Sequence, residues 1–298
     1  MKRTLDIFCG CGGMSLGFQN AGFSIIGAFD NWKPAVDVYN KNFACEACLT
    51  DVYDLTSKYL NAFSPDVIIG GPPCQDYSSA GKLNENGGRA GLTLTFAKLV
   101  CEVMPSWFVM ENVDRIVQSR TLGEALPLFR NAGYGLTKII LDASLCGVPQ
   151  KRKRFFLIGH INDSDDFLHV SLVHGLASKN MTVRDYLGNE LNTEYFYRHP
   201  RSYARRGIFS IDEPSPVIRG VNRPIPPGYR FHPRDAAKDI DQVRVLTALE
   251  RARIQTFPRN FVFEGNKTDT EQMIGNAVPV KLAEYVAIHL LKYMKTCN

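Results

Sequence analysis

Short apolar runs alternate with helically spaced stretches through the first half of the chain. Residues 4–8, 24–29, 66–69, 107–110 and 155–159 are short, apolar and bounded by turn formers, so they read as buried strands. Helical spacing predicts helices over 14–21, 34–41 and 92–104. In the last of these Leu92, Phe96, Leu99, Val100 and Val103 fall at helical spacing; Gly22 stops the first and Pro105 ends the last. Such alternation predicts a parallel, doubly wound α/β sheet with helices on both faces. From about residue 160 to 241 the periodicity fades and prolines and arginines crowd in, which predicts a separate small region. Helical spacing returns over 247–255 and from 279 to about 293.

Composition narrows this picture. The chain has 298 residues, 45% of them apolar, enough for a sizeable core. No run of 18 apolar residues occurs, so no membrane span is expected. The opening MKRTLDIF enters a strand-like run without the apolar region of a signal peptide, which points to a cytoplasmic protein. Eight cysteines are then expected to be reduced thiols. Cys45 and Cys48 form a CxxC that Cys9 and Cys11 could extend to four zinc ligands. The two pairs are not matched CxxC knuckles, so ordinary cysteines and no metal are expected. The net charge of +5 has a location: residues 195–235 hold eight arginines, three acids and no lysine. Seven aromatics interleave there, and arginine forks among rings suit phosphate and base-edge contacts. A solvated basic surface is the plainer reading of the same residues.

Five segments carry candidate chemistry. The first is DIFCGCGGMSLGF, residues 6–18, whose glycines at 10, 12 and 13 let a strand-to-helix turn approach a ligand. It departs from the GxGxxG fingerprint, and no phosphate-gripping lysine follows. Asp30, ending the second strand, could accept from ribose hydroxyls or simply cap a helix; Asp51 could receive an adenine amino group or be a turn residue. The second segment is GGPPCQDYSSAGK, residues 70–82, in which two prolines stiffen the loop that presents Cys74. A thiol on a rigid loop at a strand's carboxyl end is a candidate nucleophile that needs activation. The third is Glu111-Asn112-Val113, a carboxylate at the end of the neighbouring strand, able to hold or donate a proton to a ring nitrogen. The fourth is QKRKRFF, residues 150–156, where Arg152 and Arg154 would share one side of a strand. The fifth is Gly275-Asn276-Ala277-Val278-Pro279, read as a turn opening a helix.

In this order the five segments resemble the DNA cytosine-5 methyltransferase family, over most of residues 1–160 and 242–298, where RVLTALERARIQTFP also resembles a late family motif. The resemblance implies a Rossmann-like S-adenosylmethionine-dependent methyltransferase sheet with a small, irregular target recognition domain. The catalytic and cofactor-binding domain is expected over 1–160 plus 272–298, and the recognition domain and hinge over 161–271. It implies methyl transfer from S-adenosylmethionine to carbon-5 of a flipped-out cytosine in a specific duplex DNA sequence, through a covalent Cys74 adduct. Glu111 would stabilise ring nitrogen 3, and Arg154, with Arg152, would contact the carbonyl oxygen or hold the loop and phosphates. Phe8, Gly10, Gly12, Gly13, Asp30, Asp51, Val52, Asn276 and Val278 are the expected cofactor residues. Gln75, Ser78, Arg198, Arg201, Arg205, Arg206, Arg219 and Arg223 are the expected DNA-binding residues. The expected setting is a monomer on double-stranded DNA, modifying it alone or beside a separately encoded restriction endonuclease. Departures stand at Asp76 and Tyr77, where the family usually has Gly-Phe, at Leu249, where it commonly has Arg, and at Asn31, where an aromatic often follows the ribose-binding acid. A silent DNA-binding relative and an RNA methyltransferase of the same fold stay open at this point.

Overall fold

The computed structural model describes residues 1–73, 91–202 and 204–297. Two compact units emerge: residues 1–141, 153–176 and 283–298 form the first, and 142–152 with 177–282 form the second. These bounds differ from the expected ones at three places. Residues 161–176 join the first unit because Ser171 hydrogen-bonds His289 (2.8 Å) and Tyr285 donates to the Leu172 carbonyl. Residues 142–152 and 272–282 join the second because Gln150 and Arg152 are tied to Ile218, Gly275 and Ala277 there.

The first unit opens with β1 (Arg3–Ile7), α1 (Gly13–Asn20), β2 (Ser24–Asp30), α2 (Lys33–Asn42) and β3 (Ala47–Leu49). It continues with α3 (Ser57–Asn61), β4 (Val67–Gly70), α4 (Gly91–Val103), β5 (Trp107–Val113), α5 (Arg120–Asn131), β6 (Tyr134–Asp142), β7 (Lys153–Ile161) and α6 (His169–His174). Strands β4 and β5 are buried almost throughout, as strands covered on both faces must be. The sheet order is β3-β2-β1-β4-β5-β7-β6. Strands β1 to β5 pair in parallel, so their carboxyl ends share one edge. Strand β7 runs antiparallel to β5, with Val113 opposite Arg154 and Glu111 opposite Phe156. The sheet is thus mostly parallel, with β7 reversed against β5. Reversal brings the start of β7 to the edge where β1 to β5 end. Leu5, Ile68, Phe96, Val100, Phe108, Phe129 and Leu157 belong to the buried cluster between sheet and helices.

The second unit carries α7 (Val183–Leu187), β8 (Tyr195–Tyr197), β9 (Ile208–Ser210), β10 (Val243–Val245), α8 (Ala248–Ile254) and α9 (Lys267–Asn276). Its small sheet has the order β10-β8-β9 around Tyr197, Ile208, Ala237 and Val243. Thr247 and Glu250 close a capping box that starts α8. Helix α10 (Val280–Thr296) follows Pro279 and supplies the last segment of the first unit. No helix among the described residues is long and apolar enough to cross a membrane.

Candidate active site

Near its end strand β5 carries two residues, Glu111 and Asn112, that stand at the expected catalytic edge. Glu111 is buried, and its Oε1 lies 2.8 Å from Nε of Arg154, the residue that the reversed β7 delivers beside it. Arg154 also donates through Nη1 to the Lys153 carbonyl (2.7 Å), which fixes the guanidinium plane. A Cβ placed on Gly71 would come within 3.3 Å of Glu111 Oε2, so the chain after β4 passes directly over the carboxylate. Asn112, also buried, donates from Nδ2 to the Pro72 carbonyl (2.8 Å). Asn112 stood in the Glu111-Asn112-Val113 segment without a role of its own; its signal was an amide inside an otherwise apolar strand end. Cys74, Gln75 and Ser78 lie outside the described residues, as do Asp76 and Tyr77.

The carboxyl ends of β1, β2 and β3 gather a second set. Phe8 adopts a left-handed φ of 71°, a strained conformation for an aromatic residue and one that concentrates at functional turns. Gly10 (φ 53°) has no atom of the described residues beyond its chain neighbours within 4 Å of where a Cβ would stand, so among these residues the loop is open above its backbone. The loop is held from β2: Asp30 accepts from Gly10 N–H through Oδ2 (2.8 Å) and from Trp32 N–H through Oδ1 (2.9 Å). Burial raises the Asp30 pKa against these bonds. Asp51 accepts from Asn31 Nδ2 (2.9 Å) and caps the turn that begins at Val52. Phe8, Gly10, Asp30 and Asp51 are thus brought to one edge, with Gly12 and Gly13 entering α1.

Beneath this loop is a group the sequence reading did not single out. Asp6 is fully buried in β1, accepts from Ser15 Oγ (2.6 Å), and Ser15 in turn receives the Tyr39 hydroxyl (3.0 Å). Its second oxygen, Oδ1, has no hydrogen-bond partner among the described residues. Burial, with Asp30 nearby, pushes its pKa up to about 7. An acid inside the apolar run RTLDI was the available signal. Cys9 and Cys11 are buried here with raised pKa values, so they are inert thiols. No cluster of three or more His, Cys, Asp or Glu that could hold a metal occurs among the described residues.

The second unit holds Arg152, Asn276 and Val278. Arg152 is 2% exposed and donates to the carbonyls of Ile218 (3.0 Å), Gly275 (3.0 Å) and Ala277 (3.2 Å). Of the roles expected for Arg152, holding the loop matches these bonds: its guanidinium braces three backbone carbonyls, and it precedes β7 rather than alternating with Arg154 along it. Gln150 and Gln255 complete the brace. Gln150 takes the Ile218 N–H and donates to Gln255, which donates to the Ile274 carbonyl (2.7 Å). Gly275 is required because a Cβ there would fall 2.1 Å from Gly220 N. Gly275 and Asn276 end α9 and Ala277 caps it, so the expected turn opens α10 only after closing a helix.

The arginine-rich stretch separates into kinds. Arg206 is engaged by Glu213 through both terminal nitrogens and lies 4.2 Å over the Phe209 ring. Arg201, Arg205 and Arg223 are exposed. Arg198 and Arg219 are largely covered, and each donates to a backbone carbonyl, Val217 and His199 respectively.

Comparison with known proteins places this arrangement. A family model described as C-5 cytosine-specific DNA methylase matches residues 2–292. The Type II methyltransferase M.HindV of Haemophilus influenzae is 54% identical over 296 residues, covering 98% of this chain and 97% of that protein. The Type II methyltransferase M.HgiDI of Herpetosiphon aurantiacus is 53% identical over 294 residues, covering 98% and 95%. Among solved structures, the Dnmt2 methyltransferase of S. pombe shares the fold with a TM-score of 0.73 at 21% identity, covering 100% of both chains.

Proposed function

The chain belongs to the C-5 cytosine-specific DNA methylase family, and from that premise we propose that it methylates a cytosine flipped out of a specific double-stranded DNA sequence, through a covalent bond to Cys74. S-adenosylmethionine is the methyl donor of the family and supplies an electrophilic methyl group when bound. The described residues fit such a group. The loop at Gly10 is open, carboxylates at Asp30 and Asp51 stand at consecutive strand ends, and the orphaned Asp6 oxygen lies beneath. Phe8, Gly10, Gly12, Gly13, Asp30, Asp51 and Val52 would hold it.

One observation carries the catalytic reading: Asn112 holds the Pro72 carbonyl and the Glu111 carboxylate lies close to Gly71, and these two residues, Gly71 and Pro72, lead into Pro73 and Cys74. Carbon-5 of cytosine is a weak nucleophile. Addition of the Cys74 thiolate to carbon-6 makes carbon-5 enamine-like, with the displaced electron pair drawn toward nitrogen 3 and the carbonyl oxygen. Glu111 would hold the proton at nitrogen 3, and Arg154, bonded to Glu111, would face the carbonyl oxygen. After methylation, loss of the carbon-5 proton expels Cys74 and restores the ring. Flipping the base costs a few kcal/mol, roughly, which pocket and phosphate contacts offset.

The relatives' description as Type II methyltransferases supports a modification enzyme, solitary or beside a separate restriction endonuclease. A monomer acting in the cytoplasm suits that role. Cys74→Ser should abolish transfer of a tritiated methyl group to DNA while DNA binding survives. It should also abolish trapping on 5-fluorocytosine duplexes. Retained transfer by this variant would overturn the covalent mechanism.

A further inference from the structure

Arg198 and Arg219 pose an electrostatic problem that the second unit does not solve by itself. Each guanidinium donates to a backbone carbonyl, and the Nε atoms of both are buried with no hydrogen-bond partner among the described residues. The acids of the neighbourhood are held elsewhere. Asp212 pairs with Arg184, Glu213 with Arg206, and Glu271 with Arg251, while Asp235 accepts from Tyr229 and three backbone N–H groups. Arg251, its charge matched by Glu271, donates to the Arg219 carbonyl. Burying like charges side by side is unfavourable unless an anion arrives to share them.

We propose that Arg198 and Arg219 form one seat for a backbone phosphate of the DNA substrate, positioning the duplex without reading its sequence. The seat rests on the cytosine-methylation reading above, since that reading supplies the DNA. A phosphodiester carries one negative charge on two free oxygens, and two guanidinium forks present donors in matching geometry. A guanine edge is neutral and would leave both buried charges uncompensated. Burial, followed by the charges of Arg219, Arg201, Arg251 and Arg205, lowers the Arg198 pKa to about 9, the sign expected of a cation cluster lacking its anion. Burial and neighbouring arginines lower the His199 pKa in the same way, so that ring stays neutral beside the seat. Base contacts then fall to exposed arginines such as Arg205 and Arg223.

The test compares wild type with Arg198→Gln and Arg219→Gln. The probes are a duplex carrying a methylated site mapped by bisulfite sequencing and the same duplex with that site scrambled. Each variant should lose about ten- to a hundredfold in affinity, equally on both duplexes. The slope of log affinity against log salt should fall by about one. Inorganic phosphate at constant ionic strength should raise the melting temperature of wild type and not of either variant. A loss confined to the mapped site would overturn the proposal in favour of base reading, and no loss on either duplex would overturn it outright. A melting temperature that responds to phosphate equally in all three proteins would also overturn it. Failure of wild type to bind or methylate DNA would instead refute the cytosine-methylation reading, and it shows before any variant is made.

Discussion

Replacing Asp6 by Asn tests whether the cofactor loop is built over a carboxyl group that folding keeps neutral. The group is fully buried and bonded through one oxygen to Ser15, with the other oxygen unpaired among the described residues. Its pKa rises from 3.8 to about 7, chiefly through desolvation. The folded state therefore keeps the proton to about pH 7, while the unfolded chain releases it near 3.8. Between those values the folded state binds more protons, so this group's contribution to stability falls as pH rises and levels off above about 7. About three pH units at 1.36 kcal/mol each amount to roughly 4 kcal/mol, with roughly 3 kcal/mol falling between pH 5 and pH 8. Asn reproduces the neutral acid in shape and cannot ionise. Urea unfolding of wild type and Asp6→Asn should give similar stabilities at pH 5. At pH 8 the variant's midpoint should lie higher by about 1 M for a slope near 3 kcal/mol per M. Other titrating groups cancel in the difference. Parallel stability curves for the two proteins from pH 5 to 8 would refute a neutral Asp6.

Two further substitutions separate chemistry from bracing. Glu111→Gln should slow methyl transfer by about a hundredfold or more in single-turnover assays, while S-adenosylmethionine affinity measured by calorimetry stays near wild type. Equal losses in both would argue against a proton role. Arg152→Met should strand the Ile218, Gly275 and Ala277 carbonyls and, at about 1 to 3 kcal/mol for each buried acceptor left unpaired, cost at least about 3 kcal/mol. Calorimetric melting should then fall by roughly 6 °C or more, with methyl transfer per folded molecule little changed; a lost rate with unchanged melting would restore a catalytic role.

What the sequence made legible, and what it concealed, divides along a physical line. Strand–helix alternation exposed β1, β2, β4 and β5 because a strand covered on both faces must be a continuous apolar run. The same rule concealed the direction of β7, since FFLIG is equally apolar whichever way it runs, and pairing direction is a tertiary property. That direction decides the chemistry: only an antiparallel β7 sets Arg154 at the edge where Glu111 stands. Arg152 and Arg154 have the same spacing and charge on paper, yet one is bonded to carbonyls and the other to a carboxylate, because β7 begins between them. The arginines of residues 195–235 mislead in a related way. Their number predicts an anionic partner, but composition cannot tell a guanidinium held by Glu213 from one buried beside another guanidinium. Charge counted along the chain measures attraction at long range; what a charge can bind is set by which neighbours already share it, and those neighbours are chosen by the fold. Arg206 and Arg198 are eight residues apart in the same basic stretch, and only Arg198 still has a buried donor with no acceptor among the described residues.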